Sequence, residues 1–354
     1  LKKISANMLD LAPITRILRA KASSQLLVAA THYLPVFEEL SQGALSIPEL
    51  QERLHLKDRP ALVLFPALCA MGLLEYDAAG KLSLTETGKY LTTANTTNLL
   101  GYVGLEKDDP GVIRMVEWLQ NDGPVNTNQG FSYVKDEDAP SPMDEAETAR
   151  FFTMALAGRA KFLSPLVADK ITQQPGLLLD VAGGTGYYTY QWLRNNPTSR
   201  AIVFDRPEVL KIAAELFTEF CQDHPAEATS LQNRLTFMPG DMLTDELPVA
   251  YVLLAASLFH DWPVETCEKL AVKFAKALKP NGSLWVHDAF LNDTLDGPLA
   301  VTDYSAMLFL GTKGRCYSRK EYRSWFTKAG LVPTTDEIPT LLDYGLIAAI
   351  KPRE

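Results

Sequence analysis

The stretch that most constrains this chain is residues 177–186, Leu-Leu-Leu-Asp-Val-Ala-Gly-Gly-Thr-Gly. It reads as a buried strand that ends on a carboxylate and turns through glycines into a helix. A continuous apolar run suits a parallel strand covered on both faces, since a half-exposed strand alternates with polar residues. Glycines let the backbone approach a ligand where any Cβ would collide. The stretch therefore predicts an α/β sheet holding a nucleotide-like cofactor at a strand's carboxyl end.

From residue 176 onward the chain alternates strand and helix. Strands are predicted over 177–180, 201–204, 235–238, 250–256 and 283–288, with amphipathic helices between most of them, such as 267–278. This alternation means a parallel sheet with the ligand outside its carboxyl edge. Two cofactors compete for the glycine turn. A dinucleotide fold wants GxGxxG, but counting from Gly184 the third glycine position is Thr189. A nucleoside methyl donor wants an acidic residue followed by glycines at alternate positions. Asp180, Ala182, Gly184 and Gly186 fit that frame with one Gly-to-Ala departure, and Gly183 lies inside it. Asp205, followed by Arg206, ends the second strand, where a carboxylate can accept both ribose hydroxyls. Gly240-Asp241-Met242 ends the third, where a carboxylate can bond an adenine amine and a thioether can lie on the ring. Any one of these aspartates alone reads as a cap or turn residue. Three successive strand ends that each offer the needed group select S-adenosylmethionine.

The N-terminal part has a different rhythm. Residues 14–40 carry Leu18, Ala22, Leu26, Leu27 and Ala30 at helical spacing. Ser46 and Glu49 make a capping-box signature for a helix over 47–54. A second helix is predicted over 59–73, with Pro60 in its first turn. Apolar alternation at 74–76 and 81–84 then flanks Asp77-Ala78-Ala79-Gly80, a hairpin signal. Helix, helix, hairpin is a winged-helix plan. Its second helix is apolar over 61–68 and brings no basic residue to a major groove, and the net charge of −9 opposes phosphate binding. Dimerisation is the predicted use. The middle segment holds helices over 112–119 and 145–166 around a polar, turn-rich stretch, 126–142, that contains Phe131 and Tyr133. The predicted organisation is a winged-helix-like dimerisation domain over 1–102, a helical linker or lid over 103–172, and a Rossmann-like catalytic domain over 173–354.

The bulk properties narrow the class. A chain of 354 residues, 47% apolar and 22% charged, has the makings of an ordinary globular protein with two cores. No apolar run is long enough to span a bilayer, and residues 1–5 lack the features of a signal peptide. Cys69, Cys221, Cys267 and Cys316 are scattered without a CxxC pair, which points to reduced thiols and a cytoplasmic location. The five histidines include no HxxxH pair, so no metal centre is predicted.

Chemistry is expected where the fourth strand ends, at Ser257-Leu258-Phe259-His260-Asp261-Trp262-Pro263. His260 sits at the ligand edge, and Asp288, at the end of the fifth strand, can orient its ring. At this point the chain resembles the class I S-adenosylmethionine-dependent O-methyltransferases of the caffeate and acetylserotonin type. The matching motifs are Asp180-Val181-Ala182-Gly183-Gly184-Thr185-Gly186, Gly240-Asp241-Met242 and His260-Asp261-Trp262, together with the winged-helix N-terminal part. The resemblance implies a homodimer in which His260 is the general base and Asp288 stands where the family has an orienting carboxylate. It puts Asp205, Asp241, Met242 and Trp262 on cofactor contacts, with Arg206 and Ser257 grouped beside them. Phe152 and Met307 fall on positions lining the methyl donor and the acceptor ring; Leu156, Phe309 and Leu310 are predicted as further walls.

The departures are specific. Cys316, in Gly314-Arg315-Cys316-Tyr317-Ser318, falls among the acceptor-site positions where the family has a second carboxylate. Asp288 is then expected to hold the base alone. Leu156 replaces a Met, and Ala256 a lysine of plant members. The leading reading is methylation of a hydroxyl on a small aromatic or polyketide-like metabolite, with S-adenosylhomocysteine as product. One alternative keeps the fold and cofactor but uses the sulfonium as a bound cation for decarboxylation, hydroxylation or pericyclic chemistry. Another directs the methyl group to nitrogen or carbon. A ligand-sensing winged-helix regulator is opposed by the acidic charge and the apolar second helix.

Overall fold

The computed structural model describes residues 9–124, 140–171 and 176–353. The chain opens with helix α1 (Ala12–His32), the short α2 (Val36–Ser41), α3 (Ile47–Leu54) and α4 (Asp58–Ala70). The helix predicted over 14–40 breaks after His32 because Pro35 lacks an N–H and disfavours helical geometry in the residue before it. The predicted capping box forms at α3: Ser46 Oγ accepts from the Glu49 N–H, and Glu49 Oε2 accepts from the Ser46 N–H at 2.7 Å. The antiparallel hairpin of β1 (Leu74–Tyr76) and β2 (Leu82–Leu84) pairs Leu74 with Leu84. Helices α5 (Leu100–Val103) and α6 (Pro110–Asn121) follow. The turn-rich segment predicted around Phe131 and Tyr133 falls largely outside the described residues.

Helix α7 (Ala146–Lys170) leads into the alternating part: β3 (Leu177–Val181), α8 (Tyr187–Asn195), β4 (Arg200–Asp205), α9 (Pro207–Asp223), α10 (Ala228–Gln232), β5 (Leu235–Pro239), β6 (Ala250–Ala256), α11 (Val264–Ala277) and β7 (Leu278–Asp288). A short excursion holds β8 (Phe290–Leu291), α12 (Leu299–Phe309) and β9 (Tyr317–Ser318). Then come α13 (Arg319–Lys328), β10 (Val332–Pro333), β11 (Ile338–Pro339) and β12 (Gly345–Ile350).

The main sheet has the order β5-β4-β3-β6-β7-β12-β10, with β11 paired to β12. All five strands predicted from the sequence pair in parallel, and β12 adds an antiparallel partner to β7 that the alternation pattern did not announce. From β3 the chain moves outward to β4 and β5, then returns to the other side of β3 with β6 and β7. That reversal opens a crevice at the carboxyl ends of the strands, where α/β sheets bind ligands. The glycine turn leaves the sheet at this reversal.

The chain divides into two compact units, and the division is not contiguous. One comprises the described residues of Leu1–Asp10, Tyr133–Ala289 and Lys320–Glu354; the other comprises those of Leu11–Ser132 and Phe290–Arg319. The linear boundaries expected at 102 and 172 are thus replaced by an exchange of segments. The physical reason is packing: α12 lies against α1 and α4, and Ala306 and Phe309 are buried in the core those helices build. In the same unit Leu64, Phe65 and Leu68 of α4 are wholly buried, so this helix is a core element. Among the described residues no helix is long and apolar enough to cross a membrane.

Candidate active site

The sheet-containing unit brings the cofactor candidates to one edge. Ala182, Gly184 and Gly186 all take left-handed backbone conformations, with φ of 54°, 55° and 76°. This curls the turn so that the Ala182 N–H reaches the Phe204 carbonyl at 2.8 Å. Ala182 bears the strain of a Cβ in a region that suits glycine. Gly183 must stay bare for a different reason: a Cβ there would lie 2.8 Å from Val203 and 2.9 Å from the Asp180 carboxyl carbon. Around Gly184 the space is open, and its N–H donates to Asp205 Oδ2 at 2.8 Å. The other Asp205 oxygen accepts from the Arg206 N–H at 2.7 Å. An open glycine backbone tied to a strand-end carboxylate fits a ribose-bearing cofactor, whose hydroxyls would reach the remaining lone pairs of Asp205. Burial pushes the Asp205 carboxyl up to about 6, against the pull of its two N–H donors.

Asp180 lies beneath this turn, fully buried. Its Oδ2 accepts from Thr189 Oγ1 at 2.7 Å, while Oδ1 meets no hydrogen-bond partner among the described residues. Burial, aided by Asp205, pushes its carboxyl up to about 7. At the third strand end a Cβ on Gly240 would sit 2.3 Å from the Phe204 ring, so only glycine fits. Asp241 Oδ1 accepts from the Leu243 N–H at 2.9 Å, and Oδ2 pairs with Arg206 Nη1 at 3.1 Å. The rest of the Arg206 fork grips Asp144 at 2.7 and 2.6 Å. Arg206, which the sequence placed among the cofactor contacts, thus ties the β4 end to Asp241 and to the turn before α7. Met242 is partly exposed beside Asp241, and Trp262 is buried.

The proposed chemical group is also assembled in this unit. A short 3-10 turn after β6, Phe259–Asp261, carries His260. Its Nδ1–H donates to Asp288 Oδ1 at 2.5 Å, and its Nε2 lies 3.6 Å from Asp261 Oδ1. Asp288 Oδ1 also accepts from the Ala289 N–H at 2.8 Å, and Oδ2 accepts from the Tyr322 hydroxyl at 2.8 Å. Asp288, expected to hold the base, is itself held by a second donor side chain, Tyr322 from α13. Burial alone would depress the His260 imidazole, but Asp288 and Asp261 outweigh it and hold it above its ordinary value. Burial alone would raise Asp288; His260, Tyr322 and the Ala289 N–H hold it below the usual carboxylate range.

Sequence reasoning missed Tyr322, Arg159 and Asp144. Tyr322 sits on an amphipathic helix, where an aromatic reads as core. Arg159 of α7 donates to the Tyr344 hydroxyl at 2.5 Å and to Ser257 Oγ at 3.4 Å, with its guanidinium 5.1 Å from the Tyr344 ring centre. Ser257 is held at φ 53° between β6 and His260, so this cation lies beside the loop that carries the imidazole. His287, next to Asp288, is buried and pushed down to about 3 by its burial, so it stays neutral.

The acceptor candidates divide between the units. On α7, Phe152 is partly buried and Leu156 is 46% exposed. Met307, Phe309, Leu310 and Cys316 belong to the other unit. There Met307 is 42% exposed, whereas Phe309 is fully buried, edge-on to Trp118 at 5.9 Å and beneath Arg59 at 4.6 Å. Leu310 packs against that core and its carbonyl accepts from Arg114. Cys316 is buried, its N–H donating to Ser305 Oγ at 3.1 Å. Among the described residues no group of three or more potential ligands is arranged to hold a metal ion.

Comparison with known proteins agrees with this geometry. Residues 144–332 match the model of an O-methyltransferase domain. The 3-hydroxy-5-methyl-1-naphthoate 3-O-methyltransferase of Streptomyces sahachiroi is 27% identical over 307 residues, covering 83% of this chain and 82% of that protein. An N,N-dimethyltransferase of Streptomyces rimosus is 26% identical, covering 96% and 99%. Among solved structures, an O-methyltransferase family 2 protein from Planctomyces limnophilus DSM 3776, in complex with apigenin, is 38% identical with a TM-score of 0.84, covering 98% of this chain and 97% of that one.

Proposed function

The chain belongs to the O-methyltransferase family, and from that premise we propose that it transfers a methyl group from S-adenosylmethionine to a hydroxyl of a small aromatic or polyketide-like metabolite, with His260 as general base. The observation that carries the assignment of His260 is its buried pairing with Asp288 on the same sheet edge as the glycine turn and Asp205. Asp288 accepts the Nδ1–H hydrogen bond, which leaves Nε2 as the nitrogen suited to receive a proton. A phenol of pKa about 10 is a weak nucleophile until its proton leaves. A positioned imidazole can accept it as the transition state forms, a contribution of roughly 10²- to 10⁴-fold. S-adenosylmethionine, when bound, supplies the electrophilic methyl; the glycine turn and Asp205 would hold it, with Asp241, Met242 and Trp262. Methyl transfer from sulfonium to phenolate cancels charge, so apolar surroundings that exclude water favour it.

Apigenin in the similar solved structure and the naphthoate in a relative's name support an aromatic acceptor. Transfer to nitrogen is the second reading, favoured by the N,N-dimethyltransferase relative that matches nearly end to end. Product mass and fragmentation separate the two. The test of the base is His260→Ala, assayed with S-adenosylmethionine and apigenin or 3-hydroxynaphthoate by formation of S-adenosylhomocysteine. The rate should fall by about 10²-fold or more while cofactor affinity is kept; an undiminished rate sinks the assignment.

We also infer a homodimer formed through the helical unit. Ile17, Leu18, Tyr102 and Leu105 are each at least 70% exposed, and residues 100–106 pack against α1, which supports one apolar face.

A further inference from the structure

Tyr322 is wholly buried on α13, its ring held by Phe259 at 5.3 Å and Trp325 at 5.1 Å. Phe259 immediately precedes His260, so the ring that bears this hydroxyl packs against the turn that carries the imidazole. A phenylalanine would make the same ring contacts. What the oxygen adds is a hydrogen bond to Asp288 Oδ2, on the side of the carboxylate away from the histidine. We propose that Tyr322 is a positioning residue for methyl transfer: through Asp288 it keeps the His260 imidazole oriented and deprotonated.

The inference rests on the reading of His260 as base and deepens it. When the imidazole is neutral, Asp288 carries the full negative charge of the pair, and the Tyr322 donor stabilises it strongly. When the imidazole is protonated, the pair is net neutral and the same donor gains less. Tyr322 therefore favours the state in which His260 can accept a proton. This matters because the neighbouring carboxylates, Asp288 and Asp261, both push the ring toward imidazolium. Other ionisable groups coupled to the pair include Arg159 from α7, which opposes protonation of His260; His287 of β7, which is neutral; and Tyr188 of α8, whose hydroxyl burial keeps un-ionised. None of them donates to Asp288 Oδ2 in place of Tyr322.

The test is Tyr322→Phe, read by the ring-nitrogen NMR titration of His260, with the signal assigned by its loss in His260→Ala. The titration should move upward by roughly one unit, the equivalent of a tenfold shift in protonation, while cofactor affinity stays unchanged. The acid limb of the rate profile should move with it. Replacing the Tyr322 ring by 3-fluorotyrosine makes the hydroxyl a stronger donor and should move the titration downward, which keeps the test available if Tyr322→Phe folds poorly. An unmoved His260 titration in a folded variant overturns the proposal. A moved titration combined with full activity in His260→Ala upholds the coupling and overturns the base assignment, so the two failures are distinguishable.

Discussion

Asp180 should make this enzyme less stable as the pH rises, and replacing it should expose the effect. The carboxyl is buried, accepts one hydrogen bond from Thr189 and is pushed up to about 7. In the unfolded chain an aspartate titrates near 3.9. The folded value is raised, so between about pH 4 and 7 the native state holds a proton that the unfolded state has lost. Stability is then lost as the pH rises through that window. With these values the ionisation penalty is about 1.5 kcal/mol at pH 5 and about 4 kcal/mol at pH 8. Asp180→Asn removes it. The amide oxygen can still accept from Thr189, while the new NH₂ occupies the site of Oδ1, where no partner stands among the described residues, at a cost of about 1–3 kcal/mol that does not depend on pH. The pH-dependent part is the decisive one: relative to wild type, the variant should gain about 2.5 kcal/mol between pH 5 and pH 8. Urea denaturation of the cofactor-free enzyme at both pH values checks this. With a slope of about 3 kcal/mol/M the midpoint difference should change by about 0.8 M. The neighbouring Asp205, also raised, is common to both proteins and cancels to first order. A midpoint difference identical at the two pH values refutes the reasoning.

Two further outcomes follow from the geometry. Arg206→Met releases both Asp144 and Asp241, so the Michaelis constant for S-adenosylmethionine should rise about tenfold with the turnover number little changed; the size is set low because these groups are partly exposed. Equal losses in turnover and affinity would instead place Arg206 in the chemical step. Light scattering should give a mass of two chains for the wild type and of one chain for Ile17→Lys/Leu105→Lys, since a charge on each exposed apolar side chain opposes its burial; a single-chain mass for the wild type defeats the dimer.

Much of the sheet was legible because its determinants are local. Apolar runs, the glycine turn and the carboxylates at or just after several strand ends lie within a few residues of one another, and β3, β4, β5, β6 and β7 stand where those patterns fall. The capping box at Ser46 was legible for the same reason. The exchange of residues 290–319 into the helical unit was not, since α12 is buried along most of its length, polar positions included, and its periodicity says nothing about which core receives it. Tyr322 lies 34 positions from Asp288, and Asp144 lies 62 from Arg206. Pairings at such separations are set by the tertiary fold, and no spacing in the chain encodes them.

Asp180 and Asp288 show why the motif alone does not assign a charge. Each lies at the carboxyl end of a parallel strand of the same sheet, each is wholly buried, and burial pushes each toward the neutral acid. They end on opposite sides of the ordinary carboxylate value because of what donates to them. Asp288 receives the His260 imidazole, the Tyr322 hydroxyl and the Ala289 N–H; Asp180 receives Thr189 and, among the described residues, has one oxygen without a partner. Near neutral pH the first is therefore a fixed anion beside the base, and the second is close to its midpoint beneath the glycine turn. A strand-end aspartate in such a sheet can thus orient a base or hold a turn together, and the count of donors reaching it determines which.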